Sequence, residues 1–300
     1  MFVFLKHKDI DKKKWDARID TSVNGNLYAY SWFLDAVCPD WCAIAKDDYS
    51  VVMPLPSKKK MGIHYLFQPF FSQQLGAFFL EEKDSKGILN FIPSFYRYQE
   101  MNLNTKFHPE LASFDVFENS NYTLSINKSY EELFKSYAYN TKRNVRKCSS
   151  ELSIHKDFDD LEAIKMFEEN RATKLASYKK ESQTVLLQLL EVLRKERRIE
   201  KWAVLDKQDN LLAAAHFVIV GDKRVFLFSA TNEEGKKARA MFFLLDRFIH
   251  EYADRNISLD FSGSNDVQLA RFYSGFGSIK EVYYRIVKNN LPFFMKWFKK

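Results

Sequence analysis

Three hundred residues, 46% of them hydrophobic and 16% aromatic, are enough for two domains that each bury a core, and they exclude a disordered or low-complexity chain. Lysine and arginine number 46 against 39 acids, a net charge of +7, with the excess gathered in SKKK (57–60), TKRNVRK (141–147), LRKERR (193–198) and KWFKK (296–300). Clumped positive charge favours phosphate-bearing or membrane-surface partners; for 57–60 and 193–198 a solvated helix face or hairpin tip is the favoured reading.

Three cysteines, Cys38, Cys42 and Cys148, leave an odd count without metal-ligand spacing. That suits a reducing compartment, and a cytoplasmic location is expected. The opening MFVFLKHKDIDKKKW has too short an apolar run for a signal peptide. No stretch reaches the apolar length that spans a bilayer, so no transmembrane segment is expected.

In chain order, the first patterned stretch is WCAIAKDDYSVVMPLPSKKKMGIHYLFQP (41–69). It reads as strand, polar turn, strand, basic turn, strand: a β-meander. GILNFIPSFYRYQEMN follows as an apolar helical segment with Pro93 near its start or at a kink, then LNTKFHP as a further strand. Ser129-Tyr130-Glu131-Glu132 is a capping box that opens the run EELFKSYAYNTKRNVRKC. FDDLEAIKMFEENRATKL and ESQTVLLQLLEVLRKERR repeat apolar residues at three and four, so both are amphipathic helices.

WAVLDKQDNLLAAAHFVIVGDKRVFLFSA (202–230) is the meander again. It lies over 41–69 without a gap, Trp202 on Trp41 and Leu227-Phe228 on Leu66-Phe67. A helix (ARAMFFLLDRFIHEYADRN, closing on Asn256) and a strand (ISLDFS) complete the second copy. The tail NNLPFFMKWFKK is aromatic and basic; it packs back on the body or lies on an anionic membrane. The self-similarity points to a duplication: one domain over 1–122, and a second over 123–300 that includes a helical connection over 123–200.

The most informative stretch is LDFSGSNDVQLARFYSGFG (259–277). Asp260 ends a strand at the edge where open α/β sheets bind ligands. Ser262-Gly263-Ser264 lets the backbone turn close to a ligand, with Ser264 or Asn265 as helix N-cap. Tyr273, two turns into the helix, is placed to donate a proton to a leaving group; packing in the core with its hydroxyl satisfied is the plainer role. His216 sits among apolar strand residues and reads as a core histidine. Arg143 and Arg146, with Lys147, lie on one side of a helix at three and four spacing, in a grip suited to phosphate.

Metal hydrolases are excluded by six scattered histidines without HExxH or a Cys/His cluster. Serine hydrolases are excluded by the absence of G-x-S-x-G, and P-loop and Rossmann fingerprints are missing.

The order meander, helix, strand, helix, strand resembles the GNAT acyltransferase fold. Two tandem copies, the KRNVRK helix between them and the form DFSGSN...FYSGFG are more similar to its Fem-type branch, the peptidoglycan aminoacyltransferases and their acetyltransferase-like relatives. The resemblance covers 129–287 firmly and 27–120 more weakly. It implies a mixed α/β chain of two tandem GNAT-like domains, each a mostly antiparallel twisted sheet flanked by helices. It further implies that the strands VFLFSATN and ISLDFS part to admit an acyl donor. Asn265, Ala270, Tyr273 and Phe276-Gly277 approximate the family helix in which the Tyr is the general acid, with Phe-Gly reversed and the spacing from Asn one residue longer.

Tyr273 and Asp260 are therefore expected to be catalytic. Lys142, Arg143, Arg146, Asn232, Ser262, Ser264 and Asn265 are expected to bind substrate, and Gly235 and Lys236 to meet the cofactor. No tightly bound cofactor is implied; acyl-CoA or aminoacyl-tRNA would be the co-substrate, with tRNA or a cell-wall precursor as phosphate-bearing partner. The family's Gln/Arg-x-x-Gly-x-Gly/Ala diphosphate loop is replaced here by TNEEGKKARA. Glu233 and Glu234 would oppose a diphosphate by roughly 4 kcal/mol per charge pair at 4 Å and intermediate dielectric, partly offset by Lys236, Lys237 and Arg239. Three readings stand: a Fem-type transferase, a coenzyme-A-dependent GNAT enzyme acting on a small amine or sugar nucleotide, and an inactive duplicated scaffold that binds.

Overall fold

A computed structural model describes residues 1–170, 180–263, 265–292 and 295. They form two compact units, 1–119 with 282–300, and 120–281. Ser264 and most of the aromatic-basic tail lie outside the described residues.

The first unit opens with β1 (Phe2–Leu5), α1 (Lys12–Thr21) and α2 (Ser31–Val37). It continues through β2 (Cys42–Lys46), β3 (Val51–Leu55), β4 (Ser57–Lys60), β5 (Ile63–Leu66), β6 (Phe78–Phe79) and β7 (Tyr96–Asn102). Asp11 caps α1 by accepting from the N–H groups of Lys13 and Lys14, both at 3.1 Å. One turn apart on the inner face, Trp15 and Ile19 are buried.

β8 (Asp115–Ser125) leads into the second unit. There α3 (Tyr130–Ser136), α4 (Tyr139–Arg146), β9 (Ser153–His155), α5 (Asp160–Asn170) and α6 (Lys180–Lys195) precede the second meander, β10 (Ile199–Leu205), β11 (Leu211–Val220) and β12 (Lys223–Thr231). α7 (Glu233–Ala238), α8 (Ala240–Tyr252), β13 (Ser258–Asp260), α9 (Val267–Ser274) and β14 (Ile279–Asn289) follow.

In the first unit β1, β2, β3 and β6 make one antiparallel sheet, while β4, β5, β7 and the end of β14 pair in that order. The second unit orders its strands β8-β13-β12-β11-β10-β9, antiparallel except where β13 runs parallel to β12. Both meanders bury their tryptophan, Trp41 and Trp202. Their registers differ by two residues. Cys42 pairs with Leu55, which the gapless overlay would carry to Ala203 opposite His216, whereas Ala203 pairs with Ala214. A slip of two keeps every side chain on its own face. β11 is continuous, but its counterpart is broken into β3 and β4 at Pro56, which has no N–H for a ladder.

Three local expectations are corrected. GILNFIPSFYRYQEMN is not helical beyond a short 3₁₀ turn at Ile88–Phe91; Gly87 is left-handed (φ 77°) and YRYQEMN, with Tyr96, Tyr98 and Met101 buried, is β7. LNTKFHP is turn and irregular chain after Leu103. EELFKSYAYNTKRNVRKC is two helices, because Tyr137 and Ala138 are extended (ψ 141° and 151°). The capping box on Ser129 and Glu132 is present.

The break between α3 and α4 has a tertiary cause. Ala138 donates its N–H to the carbonyl of Gly275 (2.9 Å), and the Tyr137 ring meets Phe276 edge-on at 5.1 Å. A Cβ on Gly275 would overlap the Thr141 hydroxyl, and one on Gly277 (φ 83°) would overlap that of Ser136. The glycines of FYSGFG thus let α3 and α4 approach the end of α9, rather than a ligand.

On one face α8 packs its buried Leu244, Leu245, Phe248 and Ile249, with Phe248 stacked on Phe217 at 4.0 Å. On the other, the buried His216 places Nε2 2.9 Å from Asp160 Oδ1 at the start of α5. Burial, with Lys201 and Arg194 nearby, pushes its pKa down to about 3, so it is a neutral core histidine.

The strand end at Asp260 shapes the cleft described below. β13 pairs with β12 only through Lys223–Ser258, Arg224–Leu259 and Val225–Asp260. Phe261 then donates its N–H to Tyr122 of β8 (2.9 Å), and left-handed Ser262 (φ 55°) and Gly263 (φ 60°) turn the chain away. Asp260, half-buried, accepts from the Ser262 N–H at 2.8 Å. Burial pushes its pKa up to about 6, against the lowering effect of the Ser262 N–H, the Asn121 side chain and Lys223.

Two stability outcomes follow. Gly275→Ala should cost about 1–3 kcal/mol by overpacking in chemical denaturation, and adding Thr141→Ala should restore part of it as a non-additive coupling. Asp260 keeps its proton up to about pH 6 when folded but loses it near 3.9 in the unfolded chain. Between those values the native state binds more protons, so stability falls as pH rises from about 4 through 6. Asp260→Asn should flatten that segment of the stability-against-pH curve.

Candidate active site

Along β12, Val225 is the last residue paired with β13, while the pairing to β11 runs on to Thr231 opposite Ala213. From Phe226 to Thr231 the other edge of β12 therefore has no strand partner among the described residues. A cleft of about 500 Å³ lies along this edge. Phe226, Ser229, Ala230 and Thr231 form its β12 wall, Leu269, Phe272 and Tyr273 of α9 the facing wall. Phe167 and Asn170 of α5 reach it from one side, and Lys236, Arg239, Met241 and Phe242 from the α7–α8 junction.

Tyr273 is 7% exposed and lines this cleft. Its ring stacks on Phe261 at 4.8 Å and meets Phe226 edge-on at 6.3 Å. Both the functional and the packing expectation for this residue have a geometric basis: the body is held in aromatic core and the residue borders the opening.

Asp260 does not line the cleft; it closes the turn at the end of β13. Ser262 continues that turn. Asn265 accepts from the Ser120 N–H at 3.0 Å. The N-cap of α9 is neither Ser264 nor Asn265 but Asp266, which accepts from Gln268 and Leu269 N–H and lines the cleft. Ser264 lies outside the described residues.

Asn232 is the N-cap of α7: Oδ1 accepts from Gly235 N–H at 2.7 Å and Nδ2 donates to Leu211 at 2.9 Å. Gly235 borders the cleft, but its need for a glycine comes from packing, since a Cβ would overlap the carbonyl of Leu212. Lys236 pairs with Glu233 at 2.5 Å and Lys237 with Glu234 at 2.8 Å. The two acids are thus locally neutralised by exposed pairs of small energetic weight.

Lys142, Arg143 and Arg146 are not in the cleft. Lys142 donates to the carbonyl of Lys135 (2.7 Å), Arg146 lies over the Phe134 ring at 5.6 Å, and Arg143 is exposed. Their helix reaches the site through Asn144, whose Oδ1 accepts from Arg239 Nε at 3.1 Å. Arg239 is left-handed (φ 61°), joins α7 to α8 and borders the cleft. A non-glycine residue in that conformation is uncommon, and nothing in ARAMFF announces it. Ser229 and Thr231 were legible only as alternate positions on a strand.

Residues 135–270 match the acetyltransferase (GNAT) domain family model. No curated protein matches the sequence significantly. Among solved structures, FemX superposes with a TM-score of 0.64 at 13% identity, covering 92% of this chain and 96% of that one. A conserved protein of unknown function from Bacteroides thetaiotaomicron gives 0.59 at 11% identity, over 96% and 99%. A tandem GNAT protein from the clavulanic acid biosynthesis pathway gives 0.58 at 8%, over 97% and 99%. The matched stretch, 135–270, holds every residue of the cleft lining except Phe272 and Tyr273, and the chain as a whole has the fold of the tandem GNAT proteins it superposes on.

Proposed function

We propose that the cleft transfers an acyl or aminoacyl group to an amine, in the manner of a Fem-type N-acyltransferase. The observation that carries this reading is the unpaired edge of β12 from Phe226 to Thr231, facing Tyr273 across the cleft. An extended donor arm can add to that edge as a strand, with backbone hydrogen bonds supplying affinity. The acceptor nitrogen attacks the acyl carbonyl carbon, the carbon bond to the donor's sulfur or ribose oxygen breaks, and Tyr273 gives its proton to that leaving atom. The attacking nitrogen sheds its surplus proton to solvent as the amide forms, and solvent restores the phenolic proton.

Aminoacyl-tRNA is the favoured donor. The N-cap of α7, Asn232, already takes the Gly235 N–H, so this helix end offers a diphosphate little. The aromatic lining of Phe226, Phe242 and Phe272 suits the terminal adenosine of an RNA, which is recognised by stacking. A phosphorylated cell-wall precursor is the proposed acceptor. The coenzyme-A reading has one observation on its side: Lys236 and Arg239 flank the cleft beside the first turn of α8, where anions are stabilised.

Melting curves with aminoacyl-tRNA, acetyl-CoA and a nucleotide-linked sugar precursor separate the readings. A donor held at a hundred times its Kd adds about 2.7 kcal/mol, a rise of several degrees. Aminoacyl-tRNA is expected to give it; a rise with acetyl-CoA alone would replace the Fem-type reading, and no rise at all would favour an inactive scaffold. With the donor known, Tyr273→Phe should lower kcat by about 10²–10⁴, leaving KM within a few-fold and the melting temperature near wild type. An unchanged kcat would remove Tyr273 as the acid.

A further inference from the structure

The first unit carries a surface the acyl-transfer reading leaves unused. The β4–β5 hairpin presents Lys58, Lys59 and Lys60 in succession, all exposed. Its turn holds Met61 in a left-handed conformation (φ 49°) with 77% of its surface in solvent. The lysine ion pairs of this unit engage Lys12, Lys14, Lys46 and Lys83; among the described residues none engages Lys58, Lys59 or Lys60. An apolar side chain at the crown of an unneutralised lysine hairpin is costly to leave in water and has no packing role in its own unit.

The apolar character extends below the crown. Lys59 stands directly opposite His64, so both point to one face of the hairpin. His64 meets Phe95 edge-on at 5.6 Å, and Phe95 meets Phe4 edge-on at 5.9 Å. Phe2 shares the face of β1 with Phe4 by strand alternation and lies 5.1 Å from Phe91. Phe91 and Phe95 are each 46% exposed. A band of phenylalanines thus runs from β1 to a rim of lysines.

We propose that this band and the Lys58–Met61 tip dock on an anionic lipid surface, the lysines meeting headgroup phosphates while Met61, Phe91 and Phe95 enter the headgroup–acyl boundary. Cationic residues beside apolar and aromatic ones are the composition of an interfacial anchor. A nucleic-acid partner fits less well. Phe95 is engaged edge-to-face by His64 and with Phe4, so its π-face is not set out for base stacking, and Met61 offers no ring. The inference is independent of what the cleft transfers.

The full chain is to be sedimented with phosphatidylglycerol–phosphatidylcholine vesicles, with phosphatidylcholine vesicles, and assayed against a mixed-sequence RNA oligonucleotide. It should partition onto the anionic vesicles alone, more weakly as salt rises. Lys58→Glu/Lys59→Glu/Lys60→Glu should lower that partition by at least about a hundredfold, each lysine lost from an anionic surface removing a factor of about five and each glutamate adding repulsion. Met61→Ser, keeping every lysine, should lower it several-fold. Equal partition onto uncharged vesicles, undiminished partition in the hairpin variants, or RNA binding that the hairpin substitutions weaken more than they weaken vesicle partition would overturn the proposal. The tip is solvated, so both variants should melt with wild type; if the triple reversal does not, Met61→Ser and Lys60→Gln decide the question.

Discussion

The pairing of β13 with β12 ends at Val225–Asp260 while the next residue, Phe261, still bonds Tyr122 of β8, and the cleft exists because the two strands part there. Had the chain stayed beside β12 past Asp260, the edge from Phe226 to Thr231 would be paired along its length and no extended ligand could add there. Two left-handed residues, Ser262 and Gly263, complete the departure. A non-glycine in that region costs of order 1 kcal/mol. The local compensation is visible: the Asp260 carboxylate takes the Ser262 N–H. Asp260 thereby serves the parting of the strands, while Tyr273 borders what the parting opens.

The wall opposite β12 is positioned from outside α9. Its C-terminal glycines admit Thr141 and Ser136 at distances any side chain would forbid, so α3 and α4 are fitted against the helix that carries Tyr273. From the same α4, Asn144 reaches Arg239 at the α7–α8 junction. One short basic helix therefore touches both the Tyr273 helix and the arginine at the mouth of the cleft without sending its own arginines inside. Its charge faces solvent; its small and amide side chains do the positioning.

Much of this was legible in the residues, and the misses share a cause. The capping box at Ser129, the apolar helical segment of α8 and the short apolar runs of β10 to β12 bounded by turn residues are written in adjacent positions, and each is where the pattern puts it. The FYSGFG glycines were noticeable as a motif, but their pattern cannot name the partner that needs them. Asp266 was hidden by its neighbours, because Ser264, Asn265 and Asp266 are all competent N-caps and only the path of the chain after Gly263 selects one. The helical reading of 87–102 failed where apolar spacing is ambiguous: Gly87 and Pro93 interrupt the helix, and tyrosines at alternate positions pack as well in a strand.

By itself the sequence determined the strand-turn-strand order of the two meanders, the helix and strand that follow the second, and the solvent-facing character of the lysine hairpin, all of which depend on side-chain period, turn chemistry and charge within a few residues. Tertiary structure decided the rest: that the chain after Asp260 parts from β12 while still bonded to β8, that the run from Ser129 to Arg146 breaks at Tyr137 and Ala138, and that Asn144 rather than Arg143 connects with the cleft. Each of those outcomes is a hydrogen bond or steric fit between segments far apart in the chain. Such pairings are chosen by which backbone donors and packing spaces remain once the sheet has assembled, and no local period records that competition.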